Sequence, residues 1–204
     1  MRILAVDDHP PILAAMQMVL KELVENAEIE SVHDLAGAFA AAQRTAFDLV
    51  MLDLALPDCG GGLDALVRFR ERFPSHPVVV VSGTSEAGLI TQAIELGAMG
   101  FIPKSTSMDR FLPALRLVLS GGTYVPAEAL RAPAIGAGGA AELNLSPRQR
   151  EVLALLTEGL SNKLIARRLD ISENTTKIHV SAVLAALKVQ TRAQAIVKVG
   201  RLTK

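Results

Sequence analysis

The chain has 204 residues, half of them apolar and about a fifth charged, with one cysteine and no tryptophan. That composition suits one or two packed domains and excludes a disordered or disulfide-stapled protein. No apolar run approaches the ~18 residues a membrane helix needs, and Asp7 and Asp8 come too early for a secretory leader, so a reducing cytoplasm and no membrane partner are expected. The net charge of zero divides unevenly: residues 1–124 carry 9 Lys+Arg against 15 Asp+Glu, and residues 144–204 carry 11 against 4. An acidic front and a basic back point to two tasks, the second with nucleic acid.

Ile3–Val6 reads as a short strand ending at Asp7-Asp8. Pro10-Pro11 then opens a helix whose apolar stripe is Leu13, Met16, Leu20, Leu23 and Val24. A strand at Glu28–Val32 and an alanine-rich helix from about Leu35 to Arg44 follow. Leu49–Leu52 is a continuous apolar run that stops at Asp53, ahead of Pro57 and Gly60–Gly62. A helix is expected from about Leu63 to Arg72, a strand at Val78–Val81 closing on Ser82-Gly83, and a helix carrying Leu89, Ile90, Ala93, Ile94 and Leu96. Met99–Ile102 gives a fifth strand before Pro103-Lys104, and a helix over about Met108–Leu119 stops at Gly121-Gly122.

Strands alternating with helices predict a parallel, flavodoxin-like doubly wound α/β domain over residues 1–121, with right-handed crossovers. Residues 122–143 are small, Pro/Gly-rich and aperiodic, which reads as a flexible linker with a short helix near Ala127–Arg131. From 144 to 204 the period is helical. Ser146-Pro147 starts one helix, and Asn162–Leu169, Glu173–Lys188 and Arg192–Gly200 are three more, a four-helix unit containing a helix-turn-helix.

Asp7, Asp8, Asp53, Ser82 and Lys104 all fall where strands finish, the edge at which an open α/β sheet places its ligands. Taken singly, either early Asp could cap a helix, Ser82 could end its strand with Thr84 as a competitor, and Phe101 could be core. Converging, three carboxylates repel unless a cation joins them. Hard oxygen donors select Mg²⁺, and Lys104 opposite suits phosphoryl transfer onto a carboxylate. The scattered histidines suggest surface or capping roles rather than zinc.

Asp7-Asp8 after the first strand, Asp53–Pro57, Ser82-Gly83 and Phe101–Lys104 resemble the receiver domain of two-component response regulators. The resemblance implies that Asp53 accepts phosphate from a histidine kinase, and that Asp8 binds Mg²⁺ directly and Asp7 through water, with the Ala55 carbonyl as a further ligand. It also implies that Ser82 bonds the phosphoryl group, Lys104 neutralises it, and Phe101 swings inward with Ser82 on activation. Two departures from the family pattern stand beside the site: one extra residue between Pro57 and Leu63, and Pro103 directly before Lys104.

On the third helix of the basic unit, Thr176, Val180, Val183, Leu184 and Leu187 share one face at 100° per residue, while Asn174, Ile178, Ser181 and Ala185 share the other with Lys177 and Lys188 on its flanks. An exposed Ile among polar residues suits a thymine methyl in the major groove. Residues 144–200, through LSPRQREVLALLTEGLSNKLIARRL and ISENTTKIHV, resemble the NarL/LuxR-type DNA-binding domain. The resemblance implies base-edge contacts by Lys177, Ile178 and Ser181 and phosphate contacts by Asn162, Lys163, Asn174 and Thr175. Leu164, Asp170, Thr176 and Lys188 stand where Glu, Gly, Val and Gly are commoner.

The expectation is therefore a Mg²⁺-dependent response regulator that binds duplex DNA, pairs as a homodimer on two half-sites and has RNA polymerase as a candidate partner. It would catalyse only its own phosphoryl uptake and loss. A phosphohydrolase using an aspartyl-phosphate would place a second acid where Ala55 stands. A regulator sensing a small apolar signal would have a front domain richer in aromatics than one with Tyr124 alone. A DNA-binding regulator with a degenerate receiver, independent of phosphate, is the closest alternative.

Overall fold

The computed structural model describes residues 1–130 and 145–202. The front domain runs β1 (Arg2–Val6), α1 (Pro10–Leu23), β2 (Glu28–Val32), α2 (Leu35–Arg44), β3 (Leu49–Leu52), α3 (Asp64–Arg72), β4 (Val78–Ser82), α4 (Ala87–Glu95), β5 (Gly100–Pro103) and α5 (Met108–Leu119). The strands form one parallel sheet in the order β2-β1-β3-β4-β5. Alternation along each strand builds two cores. Ile3, Ala5, Met51, Val79 and Val81 face Leu13 and Leu20 of α1 and Leu115 and Val118 of α5. Leu4, Val6, Val50, Leu52 and Val80 face Leu35 of α2, Leu66 and Phe69 of α3, and Ile90 and Ile94 of α4. Covered on both faces, the three central strands have no polar side that water could wet, which is why β1, β3 and β4 read as unbroken apolar runs. The chain leaves β1 and β3 in opposite directions, to β2 and to β4, and this opens a crevice beyond the carboxyl ends of β1 and β3.

Some boundaries differ from the sequence reading. Helix α3 begins at Asp64 rather than Leu63, because Gly61 (φ +81°) and Gly62 (φ +59°) hold left-handed backbone immediately before it. Strand β5 is offset by one residue, to Gly100–Pro103. At Gly100 the neighbouring Tyr124 backbone comes so close that a Cβ would lie 2.9 Å from its carbonyl oxygen.

The back half comprises α6 (Ala127–Leu130), α7 (Pro147–Thr157), α8 (Asn162–Leu169), α9 (Glu173–Ala186) and α10 (Arg192–Leu202). Helix α6 matches the expected short helix, of which Arg131 lies outside the described residues. Val152, Leu156, Ile165, Val183, Leu187 and Ala195 make a separate core. Helices α7, α8 and α9 each start on a serine cap: Ser146, which forms a reciprocal pair with Gln149, then Ser161 and Ser172. Helix α9 ends at Ala186, short of the expected Lys188, because Lys188 turns left-handed at φ +53°.

The first residues of the expected linker are packed. Phe101 N–H donates to Tyr124 O (2.9 Å) and Thr123 N–H to Gly159 O (3.0 Å). Gly122 and Gly159 allow this approach: a Cβ on Gly122 would lie 2.7 Å from Gly159 O, and one on Gly159 would lie 2.5 Å from Thr123 O. Ala193 and Val197 of α10 join the core that contains α4, and Gln194 Nε2 donates to Glu95 O (2.9 Å). The described parts of the two domains therefore pack against each other through α4 and α10.

Candidate functional site

Asp7 and Asp53 each prolong the ladder by one bond, Asp7 N–H to Val32 O (3.1 Å) and Asp53 N–H to Val6 O (2.9 Å), so both carboxylates leave the sheet at its carboxyl edge. Both residues are buried. Lys104 N–H donates to Ser82 O (2.7 Å), which sets the lysine across the crevice. Its Nζ lies 2.6 Å from Asp7 Oδ2 and 2.8 Å from Asp53 Oδ2. The remaining Asp53 oxygen, Oδ1, accepts the Leu54 N–H at 2.8 Å, and Asp7 Oδ1 accepts the His9 N–H at 3.0 Å. Burial disfavours the Lys104 ammonium, but its bonds to Asp53 and Asp7 outweigh this and hold it above the ordinary lysine value.

Asp8 completes the carboxylate set. One donor atom each from Asp7, Asp8, His9 and Asp53 lies within 4.8 Å of the others. Three carboxylates face one ammonium, a surplus of negative charge that a divalent cation would balance. Oxygen donors of this kind fit Mg²⁺. Ser82 is buried at the end of β4, and Thr84 is engaged elsewhere, its Oγ1 accepting the Glu86 N–H (3.2 Å). Phe101 is fully buried, within the core on the α4 side of the sheet. Ala55 is exposed on the loop after β3.

Sequence reasoning passed over two residues here. His9, assigned with the other histidines to surface or capping roles, makes no capping bond at the start of α1. Its Nδ1 turns instead to Asp8 Oδ1 (2.6 Å) and Asp7 Oδ1 (3.3 Å). Its position directly after two acids was the available signal. Asp58, which has no role in the sequence reading, accepts the Leu35 and Ala36 N–H groups (3.0 Å each) at the start of α2. Burial works against its charge, but these bonds prevail and keep its carboxyl below the usual range. The loop with the extra glycine is thus tied down, with Gly60 N–H on Asp64 Oδ2 (3.1 Å) and Arg68 Nη1 on Asp58 O (3.1 Å). Burial, aided by the Asp58 charge, pushes the Cys59 thiol up to about 11, so it stays protonated and a poor nucleophile at neutral pH.

In the basic domain, Lys177, Ile178 and Ser181 lie exposed along one side of α9, Ile178 at 63%. Thr176 faces the core and satisfies its hydroxyl by donating to Ser172 O (3.1 Å). Lys163 is exposed. Thr175 packs its hydroxyl against Ser172 Oγ (2.7 Å), and the side chain of Asn174 lies outside the described residues. Asn162 Oδ1 accepts from Arg192 Nη2, which leaves its NH₂ as the group available to donate to a phosphate. Arg192 also donates to Leu160 O, and burial lowers its guanidinium to about 10, still charged at neutral pH.

An open parallel sheet with paired acids and a lysine at its carboxyl edge, packed against a capped helix-turn-helix unit, defines a receiver with an attached nucleic-acid reader. Residues 3–116 match the response regulator receiver domain, and residues 143–199 match the bacterial regulatory proteins of the luxR family. The chain belongs to the two-component response regulators of the NarL/LuxR type and is a transcriptional regulator. It is 38% identical over 210 residues to the glycerol metabolism activator of Pseudomonas putida, covering 98% of this chain and 95% of that one. It is 33% identical over 203 residues to the nitrate/nitrite response regulator protein NarL of Escherichia coli K12, covering 96% and 93%. Its fold is similar to that of the RcsB response regulator of Salmonella typhimurium, with a TM-score of 0.58, 23% identity and 96% of each chain covered. Among the described residues no helix is long and apolar enough to cross a membrane.

Proposed function

We propose that the protein is a transcription factor switched by phosphorylation of Asp53, with a receiver at 1–121, a linker at 122–143 and a DNA-binding domain at 144–204. The observation carrying this reading is the convergence of Asp7, Asp8 and Asp53 on one edge with the Lys104 ammonium between two of them. Asp53 attacks the phosphorus of a kinase phosphohistidine, forming a P–O bond as the P–N bond breaks. Asp8, Asp53, the Ala55 carbonyl and, through water, Asp7 would hold Mg²⁺, which supplies neutralisation of the phosphoryl charge. Lys104 moves its bond from carboxylate to phosphoryl oxygen, and the Ser82 hydroxyl donates to another. Positioning and charge account for most of such a transfer.

Phosphorylation shifts an equilibrium between the packed arrangement and one competent for DNA. In the duplex Lys177, Ile178 and Ser181 read base edges, while Lys163, Thr175 and the amides of Asn162 and Asn174 meet phosphates that set register. Two half-sites call for a homodimer. The test is incubation with acetyl phosphate and Mg²⁺ beside Asp53→Asn. A phosphoryl mass gain in the parent alone, accompanied by tighter operator binding, is the expected result. Mass gain at Asp53 with unmoved DNA affinity would instead leave a regulator independent of phosphate.

A further inference from the structure

His9 is not needed by the chemistry above, yet the structure places its ring at the site. The side chain is more exposed than buried and could swing into water, but Nδ1 sits 2.6 Å from Asp8 Oδ1 and 3.3 Å from Asp7 Oδ1. With Asp53 these residues offer four donor atoms within 4.8 Å of one another. Tetrahedral donors around an ion at ~2.0–2.2 Å stand roughly 3.3–3.6 Å apart, so to close such a shell the most widely spaced donors draw in by roughly 1.5 Å and Lys104 releases Asp7 and Asp53. An imidazole nitrogen changes which ions the set prefers. Carboxylates alone suit Mg²⁺, whereas a nitrogen added to them favours the zinc-like and later first-row ions.

We propose that His9 makes the acidic site a dual one, in which Asp7, Asp8, Asp53 and His9 together capture a transition divalent ion of the zinc type and thereby hold the regulator unphosphorylated. The inference rests on the reading of this edge as a divalent-ion and phosphoacceptor site. The antagonism follows from coordination number. Mg²⁺ keeps waters that a phosphoryl oxygen can replace, while four protein donors fill a tetrahedral shell and engage Asp53 itself. His9 then acts as a selector of the ion rather than as a catalytic residue.

The test titrates the full chain with Zn²⁺ by calorimetry and with Co²⁺ by visible absorption, with Mg²⁺ alongside, in the parent, His9→Ala and His33→Ala, the last an exposed control. The expected result is at least ~10-fold weaker Zn²⁺ and Co²⁺ binding and loss of the tetrahedral Co²⁺ bands in His9→Ala alone, with Mg²⁺ affinity unchanged. Zn²⁺ should also suppress phosphorylation from acetyl phosphate in the parent and not in His9→Ala. Equal Zn²⁺ and Co²⁺ binding by parent and His9→Ala overturns the inference while leaving the Mg²⁺ reading intact. Loss of Mg²⁺ binding along with the others in His9→Ala overturns it too, since His9 would then merely shape the site. Failure of every ion to bind the parent would bring down both readings.

Discussion

Lys104→Met tests the electrostatics of the receiver site most directly. The substitution keeps the aliphatic stem and removes the ammonium that lies 2.6 Å from Asp7 and 2.8 Å from Asp53. Both carboxyl side chains are 1% exposed, while Lys104 retains 18% of its side-chain surface. Breaking a fully buried pair typically costs ~3–5 kcal/mol, because the orphaned charge stays out of water. Here two charges are orphaned, but the crevice is open on the lysine side, so a loss of about 2–4 kcal/mol is expected. For a chain of this size that is on the order of 10 °C in Tm.

Mg²⁺ separates this effect from lost packing. In the variant no protein cation competes for Asp7 and Asp53, so the ion binds more tightly than in the parent. Saturation at 100 times Kd returns ~2.7 kcal/mol. Urea denaturation of parent, Lys104→Met and the exposed control Lys21→Met, each with and without Mg²⁺, gives the comparison. Lys21→Met should stay within ~0.5 kcal/mol of the parent. A Lys104→Met protein as stable as the parent without Mg²⁺, or one that Mg²⁺ stabilises no more than the parent, would refute the reasoning.

The same lysine sets an alkaline limit. Its folded value is raised, so its contribution is complete below the unfolded lysine value near ~10.4 and is lost as pH climbs through the folded one, a decline in urea midpoint that Lys104→Met should lack. Asp58 behaves oppositely. Its folded value is depressed, so its two bonds to the start of α2 stabilise above pH ~4 and fade as pH falls through the folded value, and Asp58→Ala should cost about 1 kcal/mol at pH 7 and nothing well below that window. Lys188→Gly should raise stability by roughly 0.5–1 kcal/mol in thermal unfolding, since a lysine at φ +53° carries a strain that glycine does not. Lys177→Ala should weaken operator binding by ~1–3 kcal/mol in a titration while leaving non-specific DNA nearly unchanged, and an equal loss on both would move Lys177 to the phosphates.

The sheet and the acidic edge were legible in the chain because burial on both faces forces β1, β3 and β4 to be apolar until they stop, and what interrupts each run is polar. Asp58 was not legible. Its partners are the Leu35 and Ala36 amides of a helix start 22 and 23 residues upstream, and nothing local distinguishes such a cap from a turn acid. The domain contact was hidden for a different reason. Helix α10 uses Ala195 and Ile196 for its own core and Ala193 and Val197 for the receiver, so its apolar residues look like one broad stripe. The seam also holds Gln194 Nε2 on Glu95 O and the backbone bond of Thr123 N–H to Gly159 O with the glycines that permit it, contacts that leave no apolar pattern to read.

That contact also decides what a switch must move. The side of α9 carrying Lys177, Ile178 and Ser181 is already exposed in the packed arrangement, whereas α10 is covered by α4. On the reading proposed above, the contact that phosphorylation has to loosen is α4 on α10. Strand β5 lies on the short route between the two. Lys104 follows it and bonds Ser82 O, Phe101 lies within it and donates to Tyr124 O, and the adjacent Thr123 donates across the seam to Gly159 O. If a phosphoryl group on Asp53 draws Lys104 and Ser82 together, as proposed above, the pull falls on the strand flanked by the contact with the DNA-binding domain. A variant that disrupts the seam without touching the site, such as Gly122→Ala, would then be expected to resemble the phosphorylated protein.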